Sequence, residues 1–239
     1  MEKARGAVRL RFGDQALVSA GRLERVSVWS SGLVLDHLSG LGGLPRGRLT
    51  GFEGGLGSGK TSLALAVLAR TSREMSMSAL IDLEGGFDAW ALSRFQPDLD
   101  SLVLVRPPSL AAGAEAALSL VREGCGLVLL LGQPPHPTLS GLEAQAARSG
   151  SMVVVVAGSF SPTLSHSLSL GFKASFRGWV RERRQLIGLR AQLTCLKNRL
   201  GAPGRTAEVE LRWPLGPDTR FDSIRALPKE DSWARSSAV

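Results

Sequence analysis

The chain has no tyrosine, only two cysteines and, among its 29 basic residues, only five lysines; the other 24 are arginine. Two cysteines, Cys125 and Cys195, do not make a disulfide framework, so a reducing compartment is expected. Each lies beside an apolar run, in GCGLVLLL and LTCLKN, which reads as a buried, inert thiol. No apolar run approaches the roughly 18 residues of a membrane span. The opening MEKARGAVRLRFGD lacks the apolar core of a signal peptide. A cytoplasmic protein without a membrane segment is the expectation. Acids are also in short supply: 21 Asp and Glu leave a net charge of +8 and a pI near 10.6. That balance suits an anionic partner such as nucleic acid, a nucleotide or another protein's acidic face. The arginine excess has two readings, genome base composition or bidentate contacts to phosphate and carboxylate.

What is present is ordinary for a folded chain. With 44% apolar and 21% charged residues over 239 positions, wholesale disorder is excluded and a full core can be buried. Residues 1–30 read as an N-terminal lead, with LERVSVW (23–29) a short strand. Residues 31–213 read as the core and 214–239 as a mobile tail. SSGLVLDHLSG (30–40) reads as a Ser-capped helix. From 49 to 131 the pattern alternates: strands LTGFE (49–53), SALIDLE (78–84), SLVLVRP (101–107) and GLVLLL (126–131), with helices at 61–70, 87–95 and 110–123 between them. Such alternation predicts an α/β fold, a mostly parallel central sheet flanked by helices. QPPHPT (133–138) breaks the chain, LSGLEAQAARSG (139–150) reads as a helix and MVVVVA (152–157) as a buried strand. SFSPTLSHSLSLG (159–171) looks like a Ser-rich loop. FKASFRGWVRERR, RAQLTCLKNR and TAEVELRW predict antiparallel strands at the C-terminal end.

The strongest signal is GGLGSGKTS. Gly54, Gly59, Lys60 and Thr61 fit G-x-x-x-x-G-K-[ST] without mismatch. The glycines, Gly57 among them, let backbone N–H groups around Ser58 turn inward on phosphate oxygens. The helix starting near Lys60, with Ser62 in its first turn, points its positive dipole end at them. Lys60 then reaches the terminal phosphates and the Thr61 hydroxyl binds Mg²⁺. A strand before and a helix after supply the context, so a P-loop site for ATP and Mg²⁺ is expected.

Hydrolysis at such a site needs a group to orient water and a carboxylate to help hold Mg²⁺. Glu84 and Asp82 share a face near the carboxyl edge of the sheet, where ligands bind. One is a candidate base, and the alternative is a strand-end carboxylate capping the following helix. Asp88 is either a site residue or a first-turn charge favoured by the helix dipole. A second carboxylate at the end of GLVLLLGQ is missing, because the strand ends in Leu131, Gly132 and Gln133. ATP binding with weak hydrolysis follows, with Mg²⁺ held by Thr61, nucleotide oxygens and water, and Asp82 a further candidate contact.

FGDQALVSAG, SSGLVLDHLSGLGGLPRGRLTGFEGGLGSGKTSLALAVLA, ALIDLEGGFD, LGFKASFRGWVR and QLTCLKNRLGAPGRTAEVELRW together resemble the bacterial RecA recombinase core over roughly residues 12–213. The resemblance implies a RecA-like P-loop NTPase with Gly54, Gly59, Lys60 and Thr61 on ATP and Mg²⁺. It places Glu84 on the catalytic glutamate and Asp88 on an adenine contact. The adenine-stacking aromatic is straddled by Trp90 and Ala91. Lys197 and Arg199 fall on basic residues that reach the neighbouring subunit's ATP across a filament interface; as residues alone they read either as γ-phosphate cations or as a solvated basic turn. The family's Mg²⁺ aspartate would fall near Leu131. Its two DNA-binding loops have no counterpart, since Ser159 to Ser169 contains no Lys, Arg or Gln. A RecA-like core with these losses resembles the ImuA group of accessory proteins in damage-induced mutagenesis. The implied partners are a RecA filament or a translesion polymerase, with self-association through a RecA-type interface. The alternative is a minimal recombinase or ATPase that binds single-stranded DNA. RGWVRERRQLIGLR (177–190), with Arg177, Arg181, Arg183, Arg184 and Arg190 around Trp179, reads either as a single-strand platform or as a solvated hairpin tip. Trp233 in the tail is a candidate partner anchor.

Overall fold

The computed structural model describes residues 26–75, 77–212 and 224–226. Nine strands form one sheet in the order β5-β4-β6-β7-β3-β8-β9-β10-β11. Its parallel half comprises β3 (Leu49–Glu53), β4 (Ser78–Asp82), β5 (Leu102–Val105), β6 (Leu127–Leu131) and β7 (Met152–Ala157). β8 (Leu170–Glu182) pairs parallel with β3, and from there the sheet turns antiparallel through β9 (Gln185–Asn198), β10 (Thr206–Arg212) and β11 (Ile224–Ala226). β11 lies inside the segment read as a mobile tail; the rest of that tail, Trp233 included, and residues 1–25 lie outside the described residues. β1 (Val28–Trp29) and β2 (Leu44–Pro45) make a separate two-stranded ribbon.

The continuous apolar runs behave as strands covered on both faces should. One face carries Phe52, Leu80, Leu129, Val154 and Phe172 and packs under α2 (Lys60–Glu74) and α1 (Val34–Ser39). The other carries Ile81, Val128, Leu130, Val153 and Val155 and packs on α4 (Leu110–Arg122) and α5 (His136–Ser149). Both cysteines are buried, as read from the sequence. Burial pushes the Cys125 thiol up to about 11, against a backbone hydrogen bond to Leu127 that lowers it.

Three local readings are corrected. The serines do not cap α1: Leu33 stands at the N-cap without a side-chain bond, and the Asp36 carboxylate gathers Ser30, Ser31 and Gly32 instead. A carboxylate accepting several donors outcompetes a hydroxyl accepting one. QPPHPT does not break the chain throughout, because α5 starts at His136. Proline is tolerated in a first turn whose N–H groups have no intrahelical partner. The Ser-rich stretch after β7 holds a helix, α6 (Pro162–Ser167), whose Ser161 side chain accepts from the Leu164 N–H at 3.1 Å. Proline at the start and serine before it are helix-initiation chemistry that the serine content masked.

Candidate nucleotide site

β3 delivers the chain to the P-loop at the carboxyl edge of the sheet, and α2 leaves from it. Gly54 sits so close to β8 that a Cβ there would lie 2.4 Å from the Ala174 carbonyl oxygen. Gly59, the N-cap of α2, has φ +87, and a Cβ on it would strike Leu211 Cδ1 at 2.5 Å. The motif's glycines are therefore required by approach and conformation, apart from any ligand. Within the loop, Ser58 is 3% exposed and its Oγ is the buried side-chain oxygen without a hydrogen-bond partner among the described residues. Such an orphan is unfavourable by ~1–3 kcal/mol unless something else satisfies it. Lys60 Nζ donates to the Gly55 carbonyl at 3.3 Å, reaching back over the loop. Thr61 and Ser62 are half-buried in the first turn of α2. The loop thus suits a polyphosphate: an orphan oxygen, an ammonium and a helix N-terminus lie together there.

The two candidate carboxylates separate into different roles. β4 ends at Asp82, two residues earlier than the sequence suggested. Asp82 is buried, and its two oxygens accept the Gly85 and Phe87 N–H groups, each at 2.9 Å. It is the turn-capping carboxylate of the pair. Glu84 lies past the strand in the turn that Asp82 holds, and it is exposed. It folds over the end of β6: a Cβ on Gly132 would meet Glu84 Cγ at 2.9 Å, and Gly132 has φ +107. Leu131 is 7% exposed in the core beneath α2. Among the described residues no group of three or more metal-ligating side chains occurs. Thr61, half-buried in the first turn of α2, carries the hydroxyl that the motif would set on Mg²⁺, where the cation would screen the phosphate charge.

Asp88 caps the short α3 (Ala89–Ser93), accepting from the Trp90 N–H at 2.9 Å, and Trp90 is 69% exposed. Lys197 and Arg199 lie elsewhere in this chain. Lys197 Nζ donates to the Ser165 and His166 carbonyls and Arg199 to His166, so both cations cap the C-terminal end of α6. Arg199 also meets Glu143 at 3.7 Å. Burial, then the Arg199 charge, lowers the Lys197 pKa, with Glu143 opposing.

Sequence reading missed the lattice joining the loop to α6. Glu53, immediately before the P-loop, accepts the Phe160 N–H at 2.9 Å, and the Gly54 N–H donates to Gly158 at 3.2 Å. Gln133, at the end of β6, accepts from the Ser161 N–H at 3.3 Å and donates to the Ser161 hydroxyl. The segment after β7 is thereby tied down at both ends. A polar residue following each apolar strand was the available signal.

Fold and loop define a P-loop nucleotide-binding α/β protein. The family model described as RecA N-terminal domain matches residues 1–133. The chain belongs to the RecA family, whose ATP-binding core it carries. It is 26% identical over 257 residues to Protein RecA of Chlorobaculum tepidum, covering 89% of this chain and 71% of that protein. It is likewise 26% identical over 260 residues to Protein RecA of Rhizobium leguminosarum bv. trifolii, covering 90% and 72%. With Protein RecA of Blastochloris viridis the identity is 28% over 249 residues, covering 86% and 71%. No described helix is long and apolar enough to cross a membrane.

Proposed function

We propose that this chain is a nucleotide-dependent adaptor of the DNA-damage response, of the ImuA kind, which binds ATP·Mg²⁺ and turns it over slowly. The carrying observation is a complete P-loop beside a β6 that ends in Leu131 and Gly132, with Asp82 occupied by backbone N–H groups. Gly54, Gly57, Ser58, Gly59, Lys60, Thr61 and Ser62 hold the nucleotide, with Asp88 toward the base. Glu84, exposed at the sheet edge, orients water, and Lys60 stabilises phosphate charge. The tied segment after β7 fits contact with proteins: a RecA filament or a translesion polymerase. Lys197 and Arg199 serve a neighbouring copy's nucleotide only if they leave α6. Such a protein works in the cytoplasm.

Pull-down against RecA filaments and translesion polymerases, with and without ATP, tests this reading. Capture that rises with ATP is expected, and capture indifferent to nucleotide for both partners rejects it. Turnover should be slow and fall further in Glu84→Gln while nucleotide affinity holds. Fast turnover stimulated by single-stranded DNA would favour the minimal recombinase instead.

A further inference from the structure

Beside the P-loop, β8 runs past the strand it pairs with. Its ladder to β3 ends at Lys173, and residues 174–182 continue as one arm of a hairpin with β9. The loop lies against this arm: a Cβ on Gly54 would be 2.4 Å from the Ala174 carbonyl oxygen. It lies against the next two strands as well. A Cβ on Gly59, at the N-cap of α2, would be 2.5 Å from Leu211 Cδ1 on β10 and 3.3 Å from Leu189 Cδ1 on β9.

The register extends this row by one residue. Leu211 opposes Leu189, and Leu189 opposes Trp179. Directly opposed residues share a face, with Cβ atoms ~5 Å apart. Trp179 therefore stands on the face of Leu189 and Leu211, one side chain away from the N-cap of α2. Phe176 opposes Ala191 and comes to that same face, although it is three residues from Trp179. In a regular strand, residues three apart point to opposite faces. Here the register shifts between Phe176 and Gly178, with Arg177 as the extra residue, and this bulge turns both rings the same way. Arg177 itself donates to Gln192, on the other face.

The rings meet edge to face, with 4.9 Å between centroids and 61° between planes. Trp179 is 51% exposed and Phe176 43%. Two large rings gathered by a bulge and left half open to water add little to the core. Bulges next to binding sites characteristically re-aim a side chain.

We infer that Trp179, held by Phe176, is the stacking platform for the base of the nucleotide whose phosphates the P-loop takes, and that it selects purine over pyrimidine nucleotides without separating adenine from guanine. The base is the flat, apolar part of that ligand, and an indole one side chain from the helix N-terminus matches it. The edge-on phenyl ring fixes the indole plane before the ligand arrives. Stacking tolerates any base, and a two-ring base covers more of the indole. The neighbouring side chains in the row, Leu189, Ala191 and Leu211, carry no hydrogen-bonding group to read a base edge, so discrimination between the two purines is small. This aromatic stands on β8, not on α3 where Trp90 lies. The inference rests on the P-loop holding the phosphates, and not on turnover or on the adaptor reading.

Titration calorimetry of the full chain with ATP, GTP, CTP, UTP and inorganic tripolyphosphate, all with Mg²⁺, tests it. The parent should bind ATP and GTP alike, and CTP, UTP and tripolyphosphate more weakly. Trp179→Leu keeps an apolar side chain and removes the flat face. It should lower ATP and GTP affinity about tenfold, leave tripolyphosphate unchanged and melt with the parent when no ligand is present. Trp179→Phe should restore most of the purine affinity, and Trp90→Leu should leave the ranking intact. ATP should quench part of the tryptophan emission of the parent, tripolyphosphate should not, and the quench should vanish in Trp179→Phe. A parent that binds ATP no better than tripolyphosphate, with both lost in Lys60→Ala, overturns the platform and leaves the P-loop reading standing. Binding of neither ligand, or binding unaffected by Lys60→Ala, removes the P-loop reading and the platform with it. An unchanged ranking in Trp179→Leu, an equal loss of tripolyphosphate in that variant, or loss of the ranking in Trp90→Leu also overturns the platform.

Discussion

At the scale of single residues, position on the strand decides what a side chain can do. Asp82 and Glu84 are two residues apart and chemically alike. The strand ends between them, so one is buried and occupied while the other overhangs β6. The same logic bears on Leu131, where the family resemblance places a Mg²⁺ aspartate. Leu131 is 7% exposed and belongs to the core cluster that packs under α2. Leu131→Asp is expected to cost roughly 3–5 kcal/mol of stability, because it buries an uncompensated charge. Urea denaturation measures it; an unchanged midpoint with restored turnover would show the position to be an open metal site. Backbone direction at the end of β6 was not legible in GLVLLLGQ, since an apolar run says nothing of which face its last residue takes.

Elements show how far pattern alone reaches. Every strand of the parallel half was legible: β6 and β7 as uniformly apolar runs covered on both faces, and the partly exposed edge strand β5 from its apolar run alone. The helix after β7 was not, because its serines and prolines are equally loop and helix-start residues. The antiparallel unit was legible as strands but not as an electrostatic circuit. Glu210 sits between Arg190 and Arg212 at 4% exposure. Burial alone would raise its pKa, but hydrogen bonds from the two arginines and their charges outweigh that and hold it below the ordinary 4.5. A carboxyl depressed by folding stabilises above its unfolded value and loses that contribution as pH falls through the folded one. Stability should therefore be flat in this respect above about pH 5 and decline below pH 4.5. Glu210→Gln should be less stable at neutral pH and show a shallower acid decline. Parallel pH–denaturation curves for the two proteins would disprove the assignment.

For the whole molecule, ligand and fold are linked through the P-loop. Its strand, β3, lies in the middle of the sheet between β7 and β8, and the residues where it enters the loop are hydrogen-bonded to the segment before α6. Nucleotide bound only by the folded state stabilises the entire domain, by ~2.7 kcal/mol at a hundredfold excess over Kd. ATP with Mg²⁺ should raise the melting temperature of the parent and leave that of Lys60→Ala almost unmoved. An equal shift in both would place the nucleotide somewhere other than the P-loop.

The sequence by itself determined the P-loop, the parallel α/β half and the inert cysteines, because each rests on local chemistry or uniform apolar burial. Only the tertiary structure decided which of two carboxylates is buried in the turn and which is exposed, that Lys197 and Arg199 cap α6, and that Arg177 and Arg190 of the 177–190 run have side-chain partners. Those outcomes depend on strand register and on groups distant along the chain, and neither is encoded in the spacing of residues within one segment.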